Sequence, residues 1–299
     1  MLRILIGVLV VLGSVCAGYW MENGKLRVLT QPTELLIILG GAAGSLLASC
    51  PPRNLRILFR SLRTISSRAQ MTTFHYLEAL KLLYVLFHLS RGPRKADLEQ
   101  HVEQPRDSVV FQAHPAVLGD AEATDFICDS FRMVIAAGLT ADQVDHLLAV
   151  DMEIQRAGRQ QPVRTLTALA DSLPGLGIVA AVLGVVVTMQ ALNGPAAEIG
   201  QKVAAALVGT FLGILLCYGI VGPTASHVDY LNKSRIEYLQ VLRVAIVASL
   251  NGQSPLVAAE AGRRSIPMDL RPSLNDMEIA LRRETIPRRS PAPGVVDEK

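Results

Sequence analysis

The sequence lacks nearly everything a catalytic site is built from. It has no glycine-rich phosphate loop, no histidine pair at i and i+4, and no closely spaced thiols. Its six histidines (His75, His88, His101, His114, His146 and His227) are scattered. Its four cysteines, Cys16, Cys50, Cys128 and Cys217, suggest neither a disulfide framework nor a metal pattern. No enzymatic activity, metal or organic cofactor is expected. A net charge of +3 is too mild to point to nucleic acid, and the basic residues cluster beside apolar stretches and in the tail. No alternating strand pattern of any length is present, so the chain reads as all-α.

Charge is missing most completely between Asp171 and Pro223, which read DSLPGLGIVAAVLGVVVTMQALNGPAAEIGQKVAAALVGTFLGILLCYGIVGP. Two apolar runs, 173–192 and 203–221, hold no Asp, Glu, Lys, Arg or His, and a polar turn at 193–202 separates them. Each is about 20 residues, enough to cross roughly 30 Å of hydrocarbon as a helix. Together they predict a transmembrane hairpin. Small residues recur four apart along it: Gly177 with Ala181, Ala180 with Gly184, Gly209 with Gly213. In lipid, such spacing lets helix backbones approach closely, and packing within one subunit is the simplest use of it. Pro174 and Pro223 stand at the inner ends of the runs. Each can fix where a helix starts or bends, and spacing alone favours a plain boundary marker.

What the chain does contain fits a polytopic membrane protein with a soluble part: half its residues are hydrophobic, 18% are charged, and mean hydropathy is +0.34. A first apolar run, 4–19, ends in Tyr19 and Trp20, rings that favour the membrane interface. No clean small-x-small cleavage site follows it, so it reads as a retained helix. A second run, 35–50, carries Gly40 and Gly44, with Glu34 at its outer edge. Glu34 reads first as a solvated helix-start carboxylate and second as a proton relay.

Four spans put both termini on one side. Arg53, Arg56, Arg60, Arg63 and Arg68 follow the second span, against only Lys25 and Arg27 before it. The positive-inside rule therefore makes both termini and the long middle segment cytoplasmic. Arg53, Arg56, Arg60 and Arg63 share one helical face and Leu55, Leu58, Phe59 and Leu62 another, a pattern suited to the anionic inner leaflet.

The expected organisation is 1–50 for spans one and two, 51–170 for a cytoplasmic helical domain, and 171–223 for the hairpin. A cytoplasmic helical extension at 224–265 and a mobile tail at 266–299 complete it. Residues 76–89 are apolar but short, and they carry Glu78, Lys81 and His88, so a cytoplasmic helix suits them better than a fifth span. An amphipathic helix is expected over 125–137, with Phe126, Ile127, Val134 and Ile135 inward. Thr140 with Gln143 suggests a capping box opening a helix to about Arg156. A long helix is expected from Pro223 to about Leu250, with Ile236, Leu239, Leu242 and Ile246 on one side. The tail, with Pro267, Pro272, Pro287, Pro291 and Pro293 and few large apolar residues after Leu281, reads as mobile. The charged run from Arg91 to Glu99 reads on its own as a solvated loop.

The strings SLPGLGIVAAVLGVVVTM and ALVGTFLGILLCYGIVGP resemble the third and fourth membrane helices of the MotA family of flagellar stator subunits. VLGSVCAGYWMENGKLRVLTQPTELLIILGGAAG, EQPRDSVVFQAHP and SLNGQSPLVAAEAGRR resemble the family co-linearly over nearly the whole chain. The resemblance implies a homo-oligomeric stator subunit of the bacterial inner membrane that passes protons. The intramembrane aspartate would come from a single-span MotB-like partner, because the spans read as providing no titrating group of their own. It places Arg91 and Glu99 at charges that engage a FliG-like rotor protein. Pro93, unusual in the family at its position, keeps those two off one uninterrupted helix. It makes Pro174 and Pro223 coupling elements between ion path and rotor contact, and Tyr218 belongs to the same span as the ion path. Thr210 falls on a threonine near that path; its plain alternative is a hydroxyl bonding its own backbone. Ala181 stands where sodium-driven relatives place a threonine, which favours the proton. ExbB or TolQ, proton-driven energy transducers similar in the last two spans, are the alternative; the four spans and the GYWMENGKLRVLTQPTELL opening argue against them.

Overall fold

Every regular element among the residues described by the computed structural model (2–65, 70–91, 95–190 and 194–284) is a helix. The helices fall into two units, Met1–Ala69 with Ala157–Asn232, and Gln70–Arg156 with Lys233–Lys299. The stretches 51–69 and 157–170 therefore group with the membrane spans, not with the middle segment expected to hold them.

The first unit begins with α1 (Leu2–Met21), a short 3-10 turn (Leu26–Leu29), α2 (Pro32–Ser49) and α3 (Pro52–Ile65). It ends with the rear of α9 (Ala141–Met189), then α10 (Ala196–Leu216), a π-helical turn (Cys217–Val221) and the front of α11 (Gly222–Leu250). Among the described residues, four helical stretches, containing Ile4–Met21, Leu26–Ser49, Ala141–Met189 and Ala196–Leu250, have the length and hydropathy to cross a membrane. Leu5, Ile6, Leu9 and Val10 of α1 stay exposed, which is no liability where the solvent is hydrocarbon. Ile38 and Ala42 of α2 pack with Ala170, Leu173 and Ala180 of α9 and with Cys217. Leu58 anchors α3 against Val163 and Leu166 of α9 and Ala225, Val228 and Leu231 of α11. Phe59, expected to join that apolar face, stays 66% exposed.

The second unit is built around α4 (Thr73–Leu89). The others are α5 (Lys95–Glu103), α6 (Val109–Gln112), α7 (Pro115–Leu118), α8 (Ala121–Ala137), α12 (Pro255–Ser265) and α13 (Leu274–Arg282), with the adjoining ends of α9 and α11. Ala79, Leu80, Leu82, Leu83, Leu86 and Phe87 of α4 are all buried, as are Leu239, Leu242 and Ile246 of α11. A helix apolar all round needs cover all round, and here neighbouring helices supply it in place of lipid. A Cβ on Gly262 of α12 would lie 2.8 Å from a Leu80 methyl and 2.9 Å from the Ala245 Cβ, so α12 rests directly on α4 and α11.

Several charged groups inside this unit are paired. Lys81 Nζ reaches Glu78 at 2.7 Å and Glu284 at 2.9 Å. Buried His114 lies 3.1 Å from Glu78 and 3.5 Å from Glu284. Burial alone would raise the Glu78 carboxyl; hydrogen bonds from Lys81 and His114 outweigh it, and the group stays below the usual carboxylate range. Arg235, also buried, forks onto Asp120 and Glu122 and lies 5.4 Å over the Tyr238 ring.

Several expectations need correcting. Thr140 and Gln143 do exchange capping bonds of 3.0 and 3.4 Å. The helix they open does not stop near Arg156, however. It runs to Met189 through Pro162 and Pro174, so Pro174 lies inside a helix and does not start one. A proline removes a single donor, and near Pro162 the Asn232 amide donates to the Arg159 carbonyl at 2.8 Å. Pro223 likewise sits in continuous helix, just after the π turn. The tail is ordered as far as Glu284: Ser273 caps α13, and Met277 and Leu281, one turn apart, are buried. Two apolar residues at that spacing make a stripe sufficient to dock a short helix. Residues 285–299 lie outside the described residues.

Candidate functional site

The hairpin closes along a seam of small residues. A Cβ on Gly177 would stand 2.9 Å from the Gly209 carbonyl oxygen and 3.1 Å from the Gly213 Cα. One on Gly213 would stand 2.6 Å from the Leu173 carbonyl oxygen and 2.9 Å from the Gly177 Cα. Farther along, a Cβ on Gly184 would meet that of Ala206 at 2.7 Å. Backbone therefore lies on backbone between α9 and α10, the arrangement that four-residue spacing of small residues permits. The pairs read from the sequence are used within one chain.

The site residues divide among these elements. Ala181 belongs to the seam: its amide nitrogen is 3.2 Å from where a Gly209 Cβ would be. Thr210, next to Gly209, is half-buried. Thr165, Thr167, Thr188 and Thr224 each donate to a carbonyl four residues back, whereas no hydrogen bond from the Thr210 hydroxyl is found among the described residues. The backbone-bonding alternative for Thr210 is thus not what the structure adopts. Pro174 follows Leu173, whose carbonyl touches the seam, and its missing N–H leaves the Ala170 carbonyl without a helical donor. Pro223 does the same to Gly219, which lies inside the π turn. The turn widens the helix just where the proline ring would otherwise strike the Gly219 carbonyl. Tyr218, in the same turn, points away from the subunit and is 74% exposed.

Arg91 and Glu99 lie in the second unit on separate elements. Glu99 is exposed on α5. Arg91 follows α4 and is engaged: its guanidinium donates to the Gly252 carbonyl at 2.8 Å and to that of Gln253. Gly252 holds the left-handed φ of 82° that ends α11, so Arg91 closes the turn between α11 and α12. Pro93 lies outside the described residues.

Sequence reading missed the depth of Glu34. It stands in the first turn of α2 and is only 6% exposed, so it is not a solvated helix-start carboxylate, and α2 does hold a titratable group. It also missed the cluster of Glu78, Lys81, His114 and Glu284. The i,i+3 pair of opposite charges in an otherwise apolar α4 was the available signal.

Comparison with known proteins agrees with this architecture. Residues 5–93 match the family model described as motility protein A N-terminal, and residues 120–240 match that of the MotA/TolQ/ExbB proton channel family. The chain is 37% identical over 275 residues to motility protein A of Escherichia coli strain K12, covering 92% of this chain and 93% of that one. It is 36% identical over 273 residues to the chemotaxis protein LafT of Vibrio parahaemolyticus, covering 91% and 96%. The fold is similar to a chain of the C. jejuni MotAB structure, with a TM-score of 0.76 at 15% identity over 90% of this chain and 96% of that one. A chain of the flagellar MotAB stator complex from Bacillus subtilis gives a TM-score of 0.66 at 19% identity, covering 89% and 97%.

Proposed function

The chain belongs to the motility protein A family, within the wider MotA/TolQ/ExbB proton channel family, and from that premise we propose how it turns ion flow into torque. It is a multi-pass inner-membrane subunit of the flagellar stator. Its partner is a MotB-like single-span protein carrying an intramembrane aspartate. Several copies of this chain surround that partner, with both termini cytoplasmic. The observation that carries the reading is the hairpin: two charge-free runs, 173–192 and 203–221, locked backbone to backbone between α9 and α10, each followed or preceded by an in-helix proline. Match of residues 5–93 to the motility protein A amino-terminal model favours the stator over an ExbB- or TolQ-type transducer.

The transported ion is the proton. The Ala181 side chain offers no oxygen to hold sodium, and the Thr210 hydroxyl, beside the seam, makes no hydrogen bond among the described residues. When the partner's carboxylate gains or loses a proton, the charge buried against the hairpin changes, a large effect where the dielectric is low. A rigid seam answers as a unit, and Pro174 and Pro223 are the points where α9 and α11 can change direction. Glu99, with Arg91, meets the rotor. Exposed charges suit repeated stepping, because they steer approach and choose partners while each pair adds little affinity.

Arg91 then has two roles that substitution separates. Arg91→Lys keeps the charge but loses the two-pronged grip on Gly252 and Gln253. It should cost about 1 kcal/mol of thermal stability in the purified complex, while swimming persists. Arg91→Ala should lose both. Identical melting of wild type and Arg91→Lys would show that the turn does not depend on the guanidinium.

Deletion of the gene tests the function itself. Paralysed cells that still carry full-length filaments, rescued by the wild-type chain, are the expected result. Normal swimming in a strain with no second stator set would overturn the reading and direct attention to outer-membrane energy transduction.

A further inference from the structure

Glu34 is an acid inside a membrane-spanning helix that the proposed ion path does not use. It is 6% exposed, and among the described residues no hydrogen bond or ion pair reaches its carboxylate. The side chain points at α9, where Oε1 lies 3.5 Å from the position a Gly184 Cβ would take. A larger residue at 184 would crowd this space, which Ala206 of α10 bounds from the other side. Thr188 cannot serve it, since its hydroxyl is donated to the Gly184 carbonyl at 2.8 Å.

Charges on the packed elements are few. The turn Leu26–Leu29 carries Arg27, with Lys25 just before it. On α10, Lys202 is bound to Glu198 at 3.1 Å. From Ser172 to Met189, α9 carries no charge at all. Burial without a partner works against an ionised carboxylate, and the dipole at the start of α2 works for it. Each form of the carboxyl thus has something in its surroundings that favours it, and exchange of one proton converts one form into the other.

We propose that Glu34 is a proton-binding site in its own right at the end of α2 facing the 22–31 turn, exchanging protons with the outer side. It rests on the proton-driven stator reading and deepens it: the chain itself holds a titrating acid, in addition to the one its partner supplies. The exchange is a single equilibrium, carboxylate plus proton giving the carboxylic acid, and needs no other reactant.

The test uses the full complex with its partner, purified into lipid, and compares infrared difference spectra on an external pH step. Wild type should show a carboxylic acid C=O band that Glu34→Gln lacks and Glu34→Asp retains at a shifted position. In cells, Glu34→Gln should lose part of the dependence of swimming speed on external pH, and Glu34→Asp should keep it. A band of equal size in wild type and Glu34→Gln would overturn the proposal, as would the absence of any band in wild type. The stator reading is judged separately, by whether the wild-type chain rescues the deletion strain. If Glu34→Gln does not assemble, Glu34→Asp decides: an unshifted band means that the titrating group lies elsewhere.

Discussion

Gly213→Leu is expected to abolish motility and to lower the amount of assembled complex in the membrane. The Cβ alone would lie 2.6 Å from the Leu173 carbonyl oxygen and 2.9 Å from the Gly177 Cα. Both neighbours are backbone, so no side chain can swing aside, and α9 and α10 would have to separate along the seam. Overpacking a close contact commonly costs about 1–3 kcal/mol when neighbours can adjust. Here the lost contacts also have no hydrophobic replacement, because lipid is as apolar as the helices. Gly44→Ala is the control: a Cβ there meets nothing within 4 Å, and its swimming should match wild type. Immunoblots of membranes and swim-plate diameters read both variants. Wild-type motility in Gly213→Leu would show that the hairpin does not need its close approach.

Pro223→Ala is expected to leave the protein in the membrane at normal amounts and to remove most of the torque. Alanine restores the N–H that can bond the Gly219 carbonyl, which removes the local reason for the π turn at Cys217–Val221. Closing that turn to α geometry would rotate α11 relative to α10 by roughly 100°, about one residue's step. Ala225, Val228 and Leu231, which pack against Leu58, Val163 and Leu166, depend on the present phase. The segment must then either keep a π turn without its cause or repack, and both alter how a shift in the hairpin passes into α11. Pro174→Ala should act in the same direction through the Ala170 carbonyl. Rotation speed of tethered cells is the measurement. Unchanged speed in both variants would remove the prolines from the coupling.

Span positions were legible in the sequence because exclusion of charge over about 20 residues has few other causes. The seam was legible too, since glycine and alanine four apart on a membrane helix mark close approach. Helix ends near prolines were misplaced because loss of one N–H is a local penalty, whereas continuity over Ala141–Met189 depends on the whole set of contacts. The tail was misjudged on composition, which averages over Met277 and Leu281 although those two alone dock α13.

Residue identity and spacing were enough for the all-helical class, the four spans, the charge-free hairpin, the co-linear family resemblance and the separate elements of Arg91 and Glu99. None of these needs knowledge of distant neighbours. Three features came from tertiary packing alone: Arg91 grips the turn at Gly252, Thr210 leaves its hydroxyl free of its own helix, and Glu34 is buried against Gly184 with no partner among the described residues. Burial and partnership depend on residues remote in the chain, such as the 150 positions separating Glu34 from Gly184 (184 minus 34), and linear spacing carries no record of them.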